Sequence, residues 1–215
     1  MNRLLAGLHS LKLDQLLYRI WRYNPIALGR LYAHHAFDRR FGVVTRGYGD
    51  LRYEPTPASA LDKMLKALPI DPSEYTFIDI GSGKGKVVLL ASTYPFRRVI
   101  GVELYEDFHR IAAANLNAFP ESERRAKSVE LECVDAGAYS LPREPVVVYL
   151  FNPFSEEILA RVIENIEAHP GPLYVLFYAP IILRHMPWDR RRLFDASPRL
   201  REVQEEKDFT IYALA

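Results

Sequence analysis

The sequence predicts an α/β fold: a doubly wound, mostly parallel seven-stranded sheet with an antiparallel C-terminal hairpin strand and an N-terminal helical extension. Three observations lead to this prediction. From residue 75 onward, strand-like apolar segments alternate with segments of helical periodicity, as in parallel βαβ units. The first of them, YTFIDI, has the apolar composition of a strand buried on both faces. The last two follow each other across Lys207-Asp208, a tight hairpin turn.

The elements can be assigned in order along the chain. The predicted strands are 75–80, 97–103, 128–134, 145–151, 172–179, 200–206 and 209–215. The predicted helices of this region are 84–92, 106–119, which ends at Pro120, and 155–169, which Ser155 caps. A further helix begins at Thr56-Pro57, because the apolar residues after it recur at helical spacing: Leu61, Met64, Leu65 and Leu68.

Residues 1–52 are predicted to form a basic helical extension, and residues 53–215 the α/β domain. The extension begins with a leucine-rich amphipathic helix that ends before Asn24-Pro25, whereas residues 26–52 allow no firm assignment. It contains nine Lys and Arg residues and three acids, a net charge of +6, and the remainder carries −5. Such an arm suits nucleic acid, anionic lipid or an acidic protein. A solvated helix covering its own domain is the favoured interpretation.

The composition is that of an ordinary soluble globular protein, since 49% of the 215 residues are apolar and 26% are charged. The single cysteine, Cys133, excludes an internal disulfide and a cysteine-based zinc cluster, and its apolar-rich segment predicts a buried thiol. One unpaired cysteine is compatible with a cytoplasmic location. No apolar run is long enough to span a bilayer, and no spacing of His, Asp or Glu suggests a metal site.

The stretch FIDIGSGKGKVV, residues 77–88, places three glycines at alternate positions after a predicted strand. A phosphate-binding P-loop needs four residues between its glycines and a hydroxyl residue after the lysine, but here three residues intervene and Val87 follows Lys86. The dinucleotide fingerprint needs a third glycine at position 86, which is lysine. The pattern is instead D-x-G-x-G-x-G, beginning at Asp79.

This pattern resembles the first motif of the class I, seven-stranded, Rossmann-like methyltransferases that use S-adenosylmethionine (SAM). The resemblance implies that SAM is the cofactor and that the downstream strand ends also contact it. Glu103 would bind the ribose hydroxyls and Leu104 would lie under the adenine. Asp135 would bind the adenine amine beside the backbone N–H of Ala136. The cofactor-binding residues implied by the glycine motif itself are Asp79, Gly81, Ser82, Gly83 and Gly85.

The segment after the predicted fourth strand indicates which kind of atom is methylated. It contains Asn152, Pro153 and Phe154. It resembles the Asp/Asn-Pro-Pro-aromatic motif of amine methyltransferases, with one proline missing. The resemblance implies that Asn152 and Pro153 accept hydrogen bonds from the target nitrogen and that Phe154 packs on the substrate.

A weaker resemblance links the chain to lysine methyltransferases of this fold that lack a SET domain. It rests on YEPTP, residues 53–57, and implies that Tyr53 and Thr56 lie over the methionine end of the cofactor. The expected function is therefore SAM-dependent methyl transfer to an amine, such as a protein lysine or a small amine. A small-molecule O- or C-methyltransferase and a non-catalytic module that binds SAM or nucleic acid are the alternatives.

Overall fold

A computed structural model describes residues 25–45, 55–151, 154–179 and 189–215. Its strands are β1 (Thr76–Ile80), β2 (Arg98–Glu103), β3 (Val129–Cys133), β4 (Val146–Leu150), β5 (Leu173–Tyr178), β6 (Leu200–Glu205) and β7 (Phe209–Leu214). Its helices are α1 (Pro25–Phe41), α2 (Ala58–Ala67), α3 (Lys86–Ser92), α4 (Glu106–Ala118), α5 (Glu156–Glu167) and α6 (Arg191–Asp195).

The strands form one seven-stranded sheet in the order β3-β2-β1-β4-β5-β7-β6. Strands β1 to β5 are parallel, β7 is antiparallel to β5, and β6 is antiparallel to β7. The predicted fold class is confirmed, including the C-terminal hairpin. The backbone N–H of Glu206 closes that hairpin by donating to the carbonyl of Phe209 at 2.9 Å. The carboxyl ends of β1 to β5 meet along one edge of the sheet, where ligands bind in such folds.

Apolar side chains cover both faces of the sheet. Along β1, Ile78 and Ile80 pack into a cluster that includes the buried face of α5. Phe77, which points to the opposite face, packs into a second cluster with α2 and α3. All five residues of β1 are buried, as are all five of β4. A sheet sandwiched between helices explains why the central strands lack an alternating polar pattern.

Two helices show how well the apolar periodicity predicts helical faces. Leu61, Met64 and Leu65 of α2 are buried, and the helix begins directly after Pro57, as predicted. Ser155 is the N-cap of α5, because its hydroxyl accepts a hydrogen bond from the backbone N–H of Ile158. The sequence therefore encodes the start of the helix as well as its buried stripe.

Helix α1 lies in the part of the extension that the sequence left unassigned. Its residues Phe37 and Phe41 pack against Phe119 at the end of α4, with ring centroids 6.4 and 4.8 Å away. Residues 1–24, which include the predicted leucine-rich helix, lie outside the described residues. Among the described residues, no helix is long and apolar enough to cross a membrane.

The predicted burial of Cys133 is wrong, because the structure exposes this side chain. Cys133 ends β3, which is an edge strand of the sheet. None of the residues of β3 is fully buried. An apolar-rich segment therefore suggested more burial than an edge strand provides.

Candidate active site

The glycine turn, which we define as residues 81–85, connects β1 to α3 at the carboxyl edge of the sheet. Gly81, Gly83 and Gly85 have φ angles of 86°, 53° and 80°. Side chains on L-residues strongly disfavour this region, so glycine is required at all three positions. The N–H groups of Gly81 and Ser82 both donate to the carbonyl of Val102 in the neighbouring strand, at 2.8 and 2.9 Å. The turn is thereby fixed to the end of β2.

Glu103, the last residue of β2, fastens the same turn through its side chain. One carboxylate oxygen accepts the N–H of Gly83 at 2.7 Å, and the other accepts the N–H of Tyr105 at 2.8 Å. The residue is only 6% exposed. Each carboxylate oxygen can accept more than one hydrogen bond, so the geometry leaves capacity for ribose hydroxyls. The sequence did not predict that Glu103 also holds the glycine turn.

Asp79 is a buried carboxyl group that is only 3% exposed. Burial raises its pKa well above the ordinary value, and the neighbouring Glu103 carboxylate raises it further. Among the described residues, the hydroxyl of Ser82 in the adjacent turn is buried and has no hydrogen-bond partner. Because buried polar groups are normally paired, an unpaired hydroxyl next to a buried carboxyl group fits a site that binds a polar ligand. A ligand ammonium would stabilise the ionised form of Asp79.

The ends of β2 and β3 place the predicted adenine contacts next to each other. Leu104 directly follows β2 and is 57% exposed, which is unusual for a leucine. Asp135 follows β3, and one of its oxygens accepts the N–H of Gly137 at 2.8 Å. The second oxygen accepts no described hydrogen bond, and Ala136 is buried beside it. An exposed apolar residue after β2 and an acid after β3 would fit an adenine base that stacks on Leu104 and donates a hydrogen bond to Asp135.

The predicted residues around the acceptor are only partly described. Tyr53, Asn152 and Pro153 lie outside the described residues. The hydroxyl of Thr56, which is 1% exposed, shares a hydrogen bond of 2.6 Å with the hydroxyl of Tyr149 on β4. Phe154 is half-buried and packs against the apolar cluster under α5. Its proposed contact with substrate remains a prediction.

Two aromatic rings stand at the ends of β4 and β5. Phe151 directly follows β4, and its ring meets that of Tyr178 edge to face at a centroid distance of 4.8 Å. Tyr178 ends β5 and is 3% exposed. These two rings form an apolar wall at the carboxyl edge of the sheet, where the chain leads into Asn152. Within the described ranges, no group of three or more His, Cys, Asp or Glu residues could hold a metal ion.

A polar cluster missed by the sequence analysis joins α1 to α3. Lys86, at the start of α3, is 2% exposed and contacts Nδ1 of His34 on α1. Its ammonium lies 5.1 Å from the ring centroid of Phe37. Burial lowers the pKa of Lys86 to about 8, although the charge of Asp38 acts in the opposite direction. Such a partner cannot be found from sequence alone, because α1 carried no recognisable periodicity.

Asn115, a second missed residue, carried a signal that was available in the sequence. It lies on the face of α4 defined by Phe108, Ala112 and Phe119, which are all buried. An amide in an apolar stripe predicts a buried group with hydrogen-bond partners. The side chain of Asn115 makes hydrogen bonds to the backbone of Val44 and to the carbonyl of Lys84 in the glycine turn.

Comparisons with known proteins concern the family and the fold. The family model for the histone methylation protein DOT1 matches residues 44–127, which include the glycine turn, Glu103 and Asn115. No curated protein matches the chain in sequence. The solved structures named below are less than 25% identical to the chain, so their similarity supports the fold alone.

Three of these structures illustrate the similarity. A protein from Pyrococcus horikoshii OT3 is 16% identical, with a TM-score of 0.55 over 84% of this chain and 99% of that one. A SAM-dependent methyltransferase from Leishmania major is 13% identical, with a TM-score of 0.52 over 74% and 71%. An RNA methyltransferase from Salinibacter ruber, bound to S-adenosyl-L-homocysteine, is 22% identical, with a TM-score of 0.50 over 75% and 92%.

Proposed function

We propose that the chain is a class I, Rossmann-like, SAM-dependent methyltransferase and that it methylates an amine nitrogen, with protein lysine as the favoured acceptor. The observation that carries the nitrogen assignment is the sequence Asn152-Pro153-Phe154, which follows β4 after Phe151. Strand β4 pairs with β1, and Asp79 lies opposite Tyr149 in that pairing. The acceptor motif therefore follows the strand beside the one that leads into the glycine turn.

A protein acceptor is supported by the description of the matching family, which is that of a histone methylation protein. A lysine side chain has an apolar stem that would suit the aromatic rings of Phe151 and Tyr178. A small amine would use the same hydrogen-bond acceptors on Asn152 and Pro153, but it would contact less of the apolar surface formed by Phe151 and Tyr178.

We propose the following contacts for the cofactor, whose chemical contribution is a methyl group on a positively charged sulfur. Asp79 pairs with the ammonium, Glu103 accepts the ribose hydroxyls, and Asp135 accepts the adenine amine beside the N–H of Ala136. Leu104 supports the adenine ring. The glycine turn, including Ser82, allows close approach because its glycines have no Cβ atoms. Tyr53 and Thr56 are proposed to line the methionine end.

The acceptor residues have a different task. An amine attacks only when it is uncharged, whereas a free lysine has a pKa of about 10.4. Partial desolvation near Phe151 and Tyr178 lowers the amine pKa. Acceptor atoms on Asn152 and Pro153 would orient the remaining N–H bonds so that the lone pair faces the methyl group. The enzyme contributes mainly alignment and proximity.

Incubation of the full chain with a cell lysate and isotopically labelled SAM tests this function. We expect the label on an amine nitrogen, located by mass spectrometry of the isolated product, and no label with a Gly83→Val variant. A product methylated on oxygen or carbon would replace the nitrogen assignment with the small-molecule alternative. SAM binding without transfer to any acceptor would favour the non-catalytic module.

The extension is proposed to cover its own domain rather than to recruit nucleic acid. The packing of α1 against α3 and α4 supports this interpretation. Removal of residues 1–24 tests it: a covering role lowers thermal stability and leaves the salt dependence of KM unchanged. A recruiting role raises KM, and the effect shrinks as salt increases. The boundary at residues 52 and 53 and a cytoplasmic location remain predictions.

A further inference from the structure

We propose that Asn115 is a positioning residue of the cofactor site, through which α4 and residues 43–45 hold the glycine turn in its binding conformation. The inference rests on the proposed cofactor contacts and adds to them a residue that does not touch the cofactor. It also implies that residues 43–45, near the end of the extension, contribute indirectly to cofactor binding.

The side-chain amide of Asn115 makes three hydrogen bonds to backbone groups. Its oxygen accepts the N–H of Val44 at 2.7 Å. Its nitrogen donates to the carbonyl of Val44 at 3.0 Å and to the carbonyl of Lys84 at 2.8 Å. Lys84 lies between Gly83 and Gly85, so the hydrogen bond to its carbonyl connects Asn115 to the middle of the glycine turn. The residue is 3% exposed, and water therefore has little access to replace these bonds.

The same face of α4 supports the turn one helical turn earlier. A Cβ atom built on Gly85 would lie 3.1 Å from Cβ of Ala112 and 3.4 Å from its Cα. Ala112 and Asn115 are three residues apart and share this face. One residue thus packs against Gly85, while the other bonds to the carbonyl of Lys84. Two independent contacts make α4 a platform for the turn.

Residues 43–45 are themselves anchored on both sides of Val44. Val43 packs with Leu89 and Phe119, so it fills a small apolar cluster. The N–H and hydroxyl of Thr45 donate to the carboxylate of Asp38, with the hydroxyl bond at 2.6 Å. Asn115 therefore connects the glycine turn to a fixed segment rather than to a free loop.

The physical consequence concerns the entropy of the turn. Glycine has the largest backbone freedom, and three glycines within five residues make an unsupported turn costly to order. If the free protein already holds the turn, cofactor binding no longer bears that cost. Loss of the Asn115 contacts should therefore weaken SAM binding without removing any group that contacts SAM.

Calorimetric titration of SAM into full-length Asn115→Leu tests the proposal, with Asn117→Leu as a matched control. Asn117 lies two residues further along α4 and is exposed. At a temperature well below the unfolding midpoint of each variant, we expect at least tenfold weaker SAM binding for Asn115→Leu and unchanged binding for Asn117→Leu. At saturating SAM, methyl transfer by Asn115→Leu to the acceptor found in the labelling experiment should be reduced much less than its SAM affinity. A folded Asn115→Leu protein with wild-type SAM affinity would overturn the positioning role.

Asn115→Asp provides a second, isosteric test that applies even if the leucine variant does not fold. The carboxylate retains an acceptor for the N–H of Val44 but cannot donate to the carbonyl of Lys84. We expect weaker SAM binding at neutral pH and faster amide exchange at Gly85, whose N–H donates to the carbonyl of Ser82 at 2.9 Å. Wild-type affinity and exchange would contradict the proposal.

The proposed cofactor contacts and the positioning role of Asn115 can be contradicted separately. If the wild-type chain does not bind SAM, the cofactor contacts are wrong and the positioning role falls with them. If the wild type binds SAM and Gly83→Val does not, the cofactor site stands. Unchanged binding by the Asn115 variants then contradicts the positioning role alone.

Discussion

Glu103 is predicted to have two functions, and its substitution separates them. Its two carboxylate oxygens accept the N–H groups of Gly83 and Tyr105, at 2.7 and 2.8 Å. The ribose hydroxyls of SAM are proposed to use the remaining capacity of the same oxygens. Glu103→Ala removes both sets of bonds, whereas Glu103→Gln retains one acceptor oxygen and the size of the side chain.

The magnitudes follow from these contacts. A hydrogen bond to a charged group contributes about 1.5–3 kcal/mol, and the loss leaves a buried N–H group unpaired. Glu103→Ala should therefore lower the free energy of unfolding by roughly 2–4 kcal/mol, because water replaces the two backbone bonds only in part. SAM binding should weaken by about 1.5–3 kcal/mol, a factor of roughly 10–150 in Kd. Glu103→Gln should show about half of each effect on the same scale.

Urea unfolding measures the first effect, and calorimetric titration with SAM measures the second. Glu106→Gln is the matched control, because Glu106 is an exposed acid in the first turn of α4. This control should change neither quantity by more than a few tenths of a kcal/mol. Wild-type SAM affinity for Glu103→Ala would refute the ribose contact. Unchanged stability would refute the anchoring of the turn.

The other substitutions test the glycine turn, the buried lysine and the acceptor site. Gly83→Val should retain the circular dichroism of the fold and abolish SAM binding, because valine disfavours a φ of 53°; wild-type affinity would exclude the turn as the site. The pKa of Lys86 is about 8 in the folded protein, against an ordinary value of 10.5. Between these two pH values the unfolded chain binds more protons than the folded protein, so the free energy of unfolding should rise by about 2 kcal/mol from about pH 7.5 to 9.5. Lys86→Met should remove that rise in urea unfolding, and a persistent rise would assign it to another group. Asn152→Ala should leave SAM affinity nearly unchanged and strongly reduce turnover; full activity on the identified acceptor would remove the basis for a nitrogen acceptor.

The sequence predicts the sheet well because strands that are buried on both faces are apolar along their whole length. The apolar runs of β1 and β4 are buried throughout, and Ser155 marks the start of α5. The edge strand β3 shows the limit of this signal. Its apolar-rich sequence predicted a buried Cys133, but an edge position depends on strand order, which the local sequence does not contain.

The geometry of the candidate site could be predicted from sequence where one physical requirement explains the residue type. The three glycines have positive φ angles, and Glu103 lies beside them as the order of strand ends requires. Long-range partners were not predicted. The contact between Lys86 and His34 joins residues 52 positions apart, and the bond between Asn115 and Val44 spans 71. Only the packing of α1 and residues 43–45 against α3 and α4 creates these pairs.

Parallel calorimetric titrations of the full chain with SAM, its demethylated product S-adenosylhomocysteine, and NAD test the central claim most directly. The geometry of the glycine turn, with the acid of Asp79 at the strand end, predicts stoichiometric binding of SAM and its product. NAD should bind much less well, because its pyrophosphate would face that acid. Tight binding of NAD without binding of SAM would contradict the account.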